Sequence, residues 1–109
     1  MQFLAELMIY NGKPLILFEP YSIIVTERLA TEIELLCQNI KAPSNTLFQI
    51  RKSSSSVYAN IREANYGHSR ADMLSRFEIA LKECSETEGW LQLLSNTNAI
   101  GDDTYKKYR

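Results

Sequence analysis

The longest apolar repeat of the sequence constrains the fold more than any other feature. It advances alternately by four and three positions through Met73, Phe77, Ala80, Cys84, Thr87, Leu91 and Leu94. This spacing is typical of an α-helix that packs along one side in a bundle. Leu74 and Leu81 widen the seam. Ser69-Arg70-Ala71-Asp72 resembles a capping box, and Asp72 also favours the positive end of the helix dipole.

Two further helices are predicted before this one. The first begins its helical period at Thr26 and ends before Pro43, because the residue before a proline leaves the α region. Its stripe is Leu29, Ile33, Leu36 and Ile40. The second has possible caps at Ser44, Asn45 and Thr46, of which Thr46 opens a capping box, Thr46-Leu47-Phe48-Gln49, and it ends at Gly67 as a left-handed cap. Its apolar side is Leu47, Ile50, Ser54, Val57 and Ile61. The serines at 53–56 are small enough to let another helix approach closely.

Both ends of the chain differ from this pattern. Asn11-Gly12 lies between two apolar stretches, which predicts a β-hairpin, with a loosely ordered arm as the alternative. Asp102-Asp103 is able to cap a fourth helix, but the residues that follow build fewer than two turns. The sequence predicts an all-α, antiparallel up-down four-helix bundle over residues 23–109 with a truncated fourth helix. Residues 1–22 are predicted to form an N-terminal arm or hairpin.

Composition excludes several classes of protein. The 109 residues carry 12 Lys and Arg against 13 Asp and Glu, so there is no polybasic arm and no acidic tail. No apolar run approaches the roughly 20 residues of a membrane span, and the N-terminus lacks a basic signal-peptide start. We therefore expect a cytoplasmic location and no membrane partner. Cys37 and Cys84 lie within apolar helical patterns, which favours core packing over disulfide, metal or redox roles.

No catalytic or cofactor-binding constellation is present in the sequence. His68, the single histidine, lies in a turn without a partner that would make it a general base or metal ligand. Glu83, Glu86 and Glu88 resemble a carboxylate cluster, but the Glu-x-x-His motif of di-metal bundles is missing. We predict no enzymatic activity, no metal and no cofactor.

The best candidate binding surface lies on the second helix. Arg51 and Arg62 are eleven residues apart and return to one face, with Tyr58 between them and Lys52 beside Arg51. Arginines that contact phosphate next to an aromatic ring suit RNA or DNA. An ordinary solvated helix face is the alternative.

A second candidate surface lies on the third helix, opposite its seam. Ile79, Trp90 and Leu93 fall there at about 100° per residue, which indicates a second buried surface, covered by another copy of the chain or by the N-terminal arm. The alternative is scattered exposed apolar residues.

Two stretches resemble the signature of the 23S rRNA-intervening-sequence family of four-helix bundle proteins. The first runs from Gln49 to Ala64 and contains a basic pair, small residues and Ala-Asn-Ile-Arg-Glu-Ala. The second includes Ser69-Arg70-Ala71-Asp72-Met73 and Glu86-Thr87-Glu88-Gly89-Trp90-Leu91. The resemblance covers about residues 26–105 and is strongest over 46–95.

The resemblance implies an antiparallel bundle that assembles as a ring-like homopentamer and has no established activity. Because a related branch binds nucleic acid beside a reverse transcriptase, it also implies a nucleic acid or such a protein as partner. Asn60 and Glu63 match the signature, and we expect them to hydrogen-bond between helices or subunits. The predicted function is a non-enzymatic, nucleic-acid-binding accessory protein. The alternative is a protein-interaction scaffold with no nucleic-acid role.

Overall fold

Three long helices make up most of the chain that the structure describes. The computed structural model describes residues 9–10, 13–14, 21–66, 69–101 and 103–105. The helices are α1 (Tyr21–Asn39), α2 (Ser44–Asn65) and α3 (Arg70–Asn96), and one further helical turn covers residues 103–105. α2 packs against both α1 and α3. Short connections make neighbouring helices antiparallel, so the predicted all-helical bundle is confirmed.

The described part of residues 1–22 contains two short antiparallel strands. β1 (Ile9–Tyr10) pairs with β2 (Lys13–Pro14), with Ile9 opposite Pro14. Asn11 and Gly12, to which the hairpin prediction assigns the turn, lie between the strands and outside the described residues.

α1 begins five residues before the predicted start at Thr26. Thr26 lies inside the helix, where it is buried and its hydroxyl donates to the carbonyl of Ile23 at 3.2 Å. This bond to the preceding turn lets a threonine occupy a buried helical position. Val25 packs on the core one turn before Leu29, so the apolar stripe extends upstream.

The predicted capping box of α2 is wrong. The helix begins at Ser44 with Pro43 as its N-cap, and no side chain caps it. The amide of Leu47 instead donates to the carbonyl of Pro43 at 3.1 Å. The fixed φ of proline suits a helix entry, so the helix begins before Thr46. Thr46 and Gln49 therefore lie within its first two turns. At the other end, Tyr66 is the C-cap, and the predicted cap Gly67 lies outside the described residues.

The predicted start of α3 is confirmed. Ser69 is extended, and its hydroxyl accepts from the amide of Asp72 at 3.1 Å. At the other end Asn98 adopts a φ of 61°, a left-handed conformation that asparagine tolerates better than most residues. The chain then reverses and returns Ile100 to the core.

The core is built from the predicted stripes. Six of the seven seam residues of α3 are buried, and Met73 is half-buried. On the other two helices the buried apolar residues are Ile33, Cys37, Ile50, Val57, Ile61 and Ala64. Burial raises the pKa of Cys37, and it raises that of Cys84 to about 11. Both thiols therefore stay protonated at neutral pH.

A polar contact lies inside this core where α2 crosses α3. Ser53 and Thr87 are both buried, and the Thr87 hydroxyl donates to Ser53 Oγ at 2.8 Å. The Ser53 hydroxyl can donate to the carbonyl of Ile50 at 3.2 Å. Because both hydroxyls have partners, two small polar side chains fit here without the cost of unpaired buried groups.

Enlarging this contact is expected to destabilise the bundle. Ser53→Leu forces a larger side chain against Thr87 and should lower the free energy of unfolding by about 1–3 kcal/mol in urea denaturation. Ser55→Leu is the control, because Ser55 is exposed in the same serine run. Equal stability of the two variants would contradict the close approach of α2 and α3.

The two helix starts give a second test. Ser69→Ala removes the cap of α3 and is expected to lower the free energy of unfolding by about 1 kcal/mol. Thr46→Ala lies in the box that does not form and should change it by less than about 0.5 kcal/mol. Thermal denaturation followed by circular dichroism compares the two, and a larger loss for Thr46→Ala would contradict the observed start of α2.

Candidate functional site

Arg51, the first residue of the predicted basic surface, forms an ion pair. Its Nε donates to Oε2 of Glu34 on α1 at 2.8 Å, with both side chains partly exposed. The opposite charge of Glu34 largely cancels the field that Arg51 presents to solvent. Arg51 therefore joins α1 and α2 and presents less net positive charge to solvent than the sequence indicates.

Arg62 lies on the same face as Arg51 and is exposed. Its Nη1 donates to the hydroxyl of half-buried Tyr58 at 2.9 Å. This hydrogen bond is the main reason that the pKa of Arg62 is raised, and Glu27 on α1 adds to it. The guanidinium is thus held charged and positioned by the aromatic side chain one turn before it.

Lys52 is exposed, and it is near enough to Glu83 of α3 for its charge to act on that carboxyl group. Burial and the neighbouring carboxylate of Glu86 raise the pKa of Glu83, and the charge of Lys52 acts in the opposite direction. The four residues predicted as one basic surface therefore have different neighbours: Arg51 pairs with Glu34 of α1 and Arg62, held by Tyr58, lies near Glu27 of α1, whereas the charge of Lys52 acts on Glu83 of α3.

A longer exposed stripe runs along the outside of α2 and ends at the C-cap of the helix, Tyr66. Its six members follow steps of four, three, four, three and four, and every one is exposed. We call these residues the outer stripe: Phe48, Lys52, Ser55, Ala59, Arg62 and Tyr66. Sequence reasoning missed Phe48 and Tyr66, although the spacing that reveals buried stripes also marks this outward one.

Asn60 and Glu63, the residues expected to hydrogen-bond between helices or subunits, have different surroundings. Asn60 is buried, and its amide donates to the carbonyl of Ser56 at 2.8 Å. Its Oδ1 accepts from Nη1 of Arg76 on α3 at 3.5 Å, a long bond between the helices. Glu63 is exposed beside Arg62, and its interface role stays a prediction.

The predicted second surface of α3 has mixed exposure. Ile79 and Leu93 are 38% and 41% exposed, whereas Trp90 is half-buried and packs against the core. An open groove of about 410 Å³ lies beside Trp90 and Leu93, with Gln49, Glu86 and Gly89 on its other sides. We call Ile79 and Leu93 the α3 patch. Trp90 contributes to folding as well as to this surface.

Other chemistry has little support among the described residues. No three of their His, Cys, Asp and Glu side chains lie close enough together to hold a metal ion. None of their helices combines the length and the apolar character needed to cross a membrane. The predicted turn residue His68 lies outside the described residues.

These features define a class of protein: a small antiparallel helical bundle with polar contacts where its helices cross. The outward side of its central helix is exposed and partly basic. The family model for the 23S rRNA-intervening sequence protein matches residues 25–109. The chain belongs to this family, which confirms the resemblance drawn from its motifs.

A solved structure supports the same assignment. The chain is similar to a protein of unknown function from the S23 ribosomal protein family of Bacteroides thetaiotaomicron, at 37% identity and a TM-score of 0.69. The match covers 76% of this chain and 80% of that one. A comparison with curated proteins gave no match.

Proposed function

We propose that this protein is a non-enzymatic accessory factor that binds RNA or DNA through the outward surface of α2. The observation that carries the proposal is the exposure of Lys52 and Arg62 on one side of that helix. Neither has an ion-pair partner within 4 Å among the described residues. Both cations are therefore accessible to phosphate oxygens.

The charge distribution favours the same helix. α2 carries Arg51, Lys52 and Arg62 against Glu63, a net charge of +2, although the chain as a whole is −1. Since Arg51 is paired with Glu34, Lys52 and Arg62 supply most of the available attraction. Two cations per chain bind phosphate weakly, so useful affinity requires several copies acting together.

Charge reversal tests the proposal. Lys52→Glu combined with Arg62→Glu is expected to abolish binding of a labelled RNA or DNA, measured by fluorescence anisotropy at about 50 mM salt. Binding by the unmodified protein should fall steeply between about 50 and 200 mM salt, because bound phosphates release counterions. Glu63→Gln removes a carboxylate beside Arg62 and should bind more tightly.

Arg28→Glu combined with Lys41→Glu is the matched control. It changes the net charge equally at exposed positions outside α2 and should bind nearly as well as the unmodified chain. Absence of binding at low salt, or equal loss in both double variants, would overturn the proposal.

The second candidate function is a protein-interaction scaffold. We infer that the α3 patch is a contact surface between copies, and the family resemblance implies a ring of five. Ile79 and Leu93 support this inference because their apolar side chains are exposed, and an open groove lies beside Leu93. Contiguous exposed apolar surface is typical of protein contacts.

Self-association is tested by Ile79→Glu combined with Leu93→Glu, which places charge on the α3 patch. The expected result is a lower mass in analytical ultracentrifugation with unchanged helicity. These positions are preferable to Trp90, which packs against the core. Leu35→Glu is the control, because Leu35 is similarly exposed on α1. An unchanged mass would exclude the patch as an interface.

A further inference from the structure

We propose that the outer stripe of α2 binds single-stranded nucleic acid, with bases stacked on Phe48 and Tyr66 and phosphates held by Lys52 and Arg62. This inference rests on the proposed function and names its substrate class. It is drawn from the arrangement of the exposed side chains on α2.

The two aromatic side chains are placed as stacking platforms. Phe48 and Tyr66 are 59% and 65% exposed. They are 18 residues apart, which returns them to the same side of the helix at a separation of about 27 Å. Exposed aromatic rings at this spacing are able to hold bases at both ends of a strand of several nucleotides.

The polar and small residues between the rings suit the backbone of such a strand. Lys52 follows Phe48 by four residues, and Arg62 precedes Tyr66 by four, so each ring has a cation one turn away. Ser55 and Ala59 lie between the cations and are exposed. Their small side chains leave room for a sugar-phosphate chain to approach the helix closely.

A second copy of this chain fits the stripe less well than a polyanion. The positions of the outer stripe are symmetric about residue 57. If two copies of the chain paired their outer stripes in antiparallel directions, Lys52 of one copy would therefore lie opposite Arg62 of the other. Parallel pairing sets each cation against its own counterpart. Both arrangements bring like charges together at the apolar contact, which is unfavourable.

A duplex also fits less well than a single strand. Bases inside a duplex stack on one another and do not reach an exposed side chain, whereas unpaired bases are free to stack on Phe and Tyr. A duplex therefore uses only Lys52 and Arg62, and the two large exposed rings contribute nothing. The combination of rings and cations on one stripe favours the single strand.

The test measures the full chain against a fluorescein-labelled single-stranded RNA of about 12 nucleotides and the same strand paired with its complement. The single strand should bind more tightly than the duplex at low salt. Phe48→Ala and Tyr66→Ala are each expected to weaken single-strand binding about tenfold and to leave duplex binding unchanged.

Ile24→Ala combined with Leu35→Ala is the matched control. Both side chains are more than half exposed on α1, so this variant removes exposed apolar surface outside the stripe. It should leave single-strand binding unchanged, and circular dichroism should give the same helicity for all variants.

The outcomes separate this inference from the proposed function. Equal affinity for strand and duplex, or full single-strand binding by Phe48→Ala with Tyr66→Ala, overturns the stacking inference even if Lys52 and Arg62 remain essential. If the unmodified protein binds neither the single strand nor the duplex, the proposed function is overturned as well. A lower mass of the double aromatic variant would assign the stripe to self-association and overturn the inference.

Discussion

The bundle depends on the ability of α2 to pack against a helix on each side. Two adjacent small residues at its centre make this possible. Ser53 contacts Thr87 of α3, and Ser54 is buried beside a second groove, which lies between α1 and α2. A run of serines has low helix propensity, so this segment is helical because of tertiary packing. Among the described residues, α1 and α3 pack against α2 and leave its outward side exposed.

The periodic apolar seams of the fold could be predicted from the sequence. Which of several possible local contacts forms at a helix end could not. The seam of α3 and its Ser69 cap follow from spacing and hydrogen-bonding chemistry, and both are observed. The start of α2 was missed because Pro43 competes with the Thr46 box, and only the folded chain decides between two chemically reasonable caps. The early start of α1 was missed because the helical period is clear only from Thr26 onward, and the sequence alone does not show that Thr26 is buried inside the helix.

The candidate site was harder to predict because the positive charge that a side chain presents to solvent depends on its neighbours in the folded chain. Arg51 and Arg62 share a face by spacing alone, but spacing does not reveal that Glu34 lies 2.8 Å from Arg51. That distance depends on the register of α1 against α2, which no local pattern specifies. Phe48 was noted only as part of the predicted capping box, and its exposed ring was missed because apolar character does not itself distinguish an inward from an outward position.

The two proposed surfaces belong to different helices, and this affects how they would work together. One surface consists of Ile79 and Leu93 of α3 and the other of the outer stripe of α2, so assembly and nucleic-acid binding share no side chain. The outer stripe of each copy offers only two cations, which bind phosphate weakly when that copy acts alone. Copies joined through α3 would repeat the outer stripe, and a strand held by one copy would meet the next at high effective concentration. Affinity would then come from repetition, which agrees with a chain of nearly balanced charge.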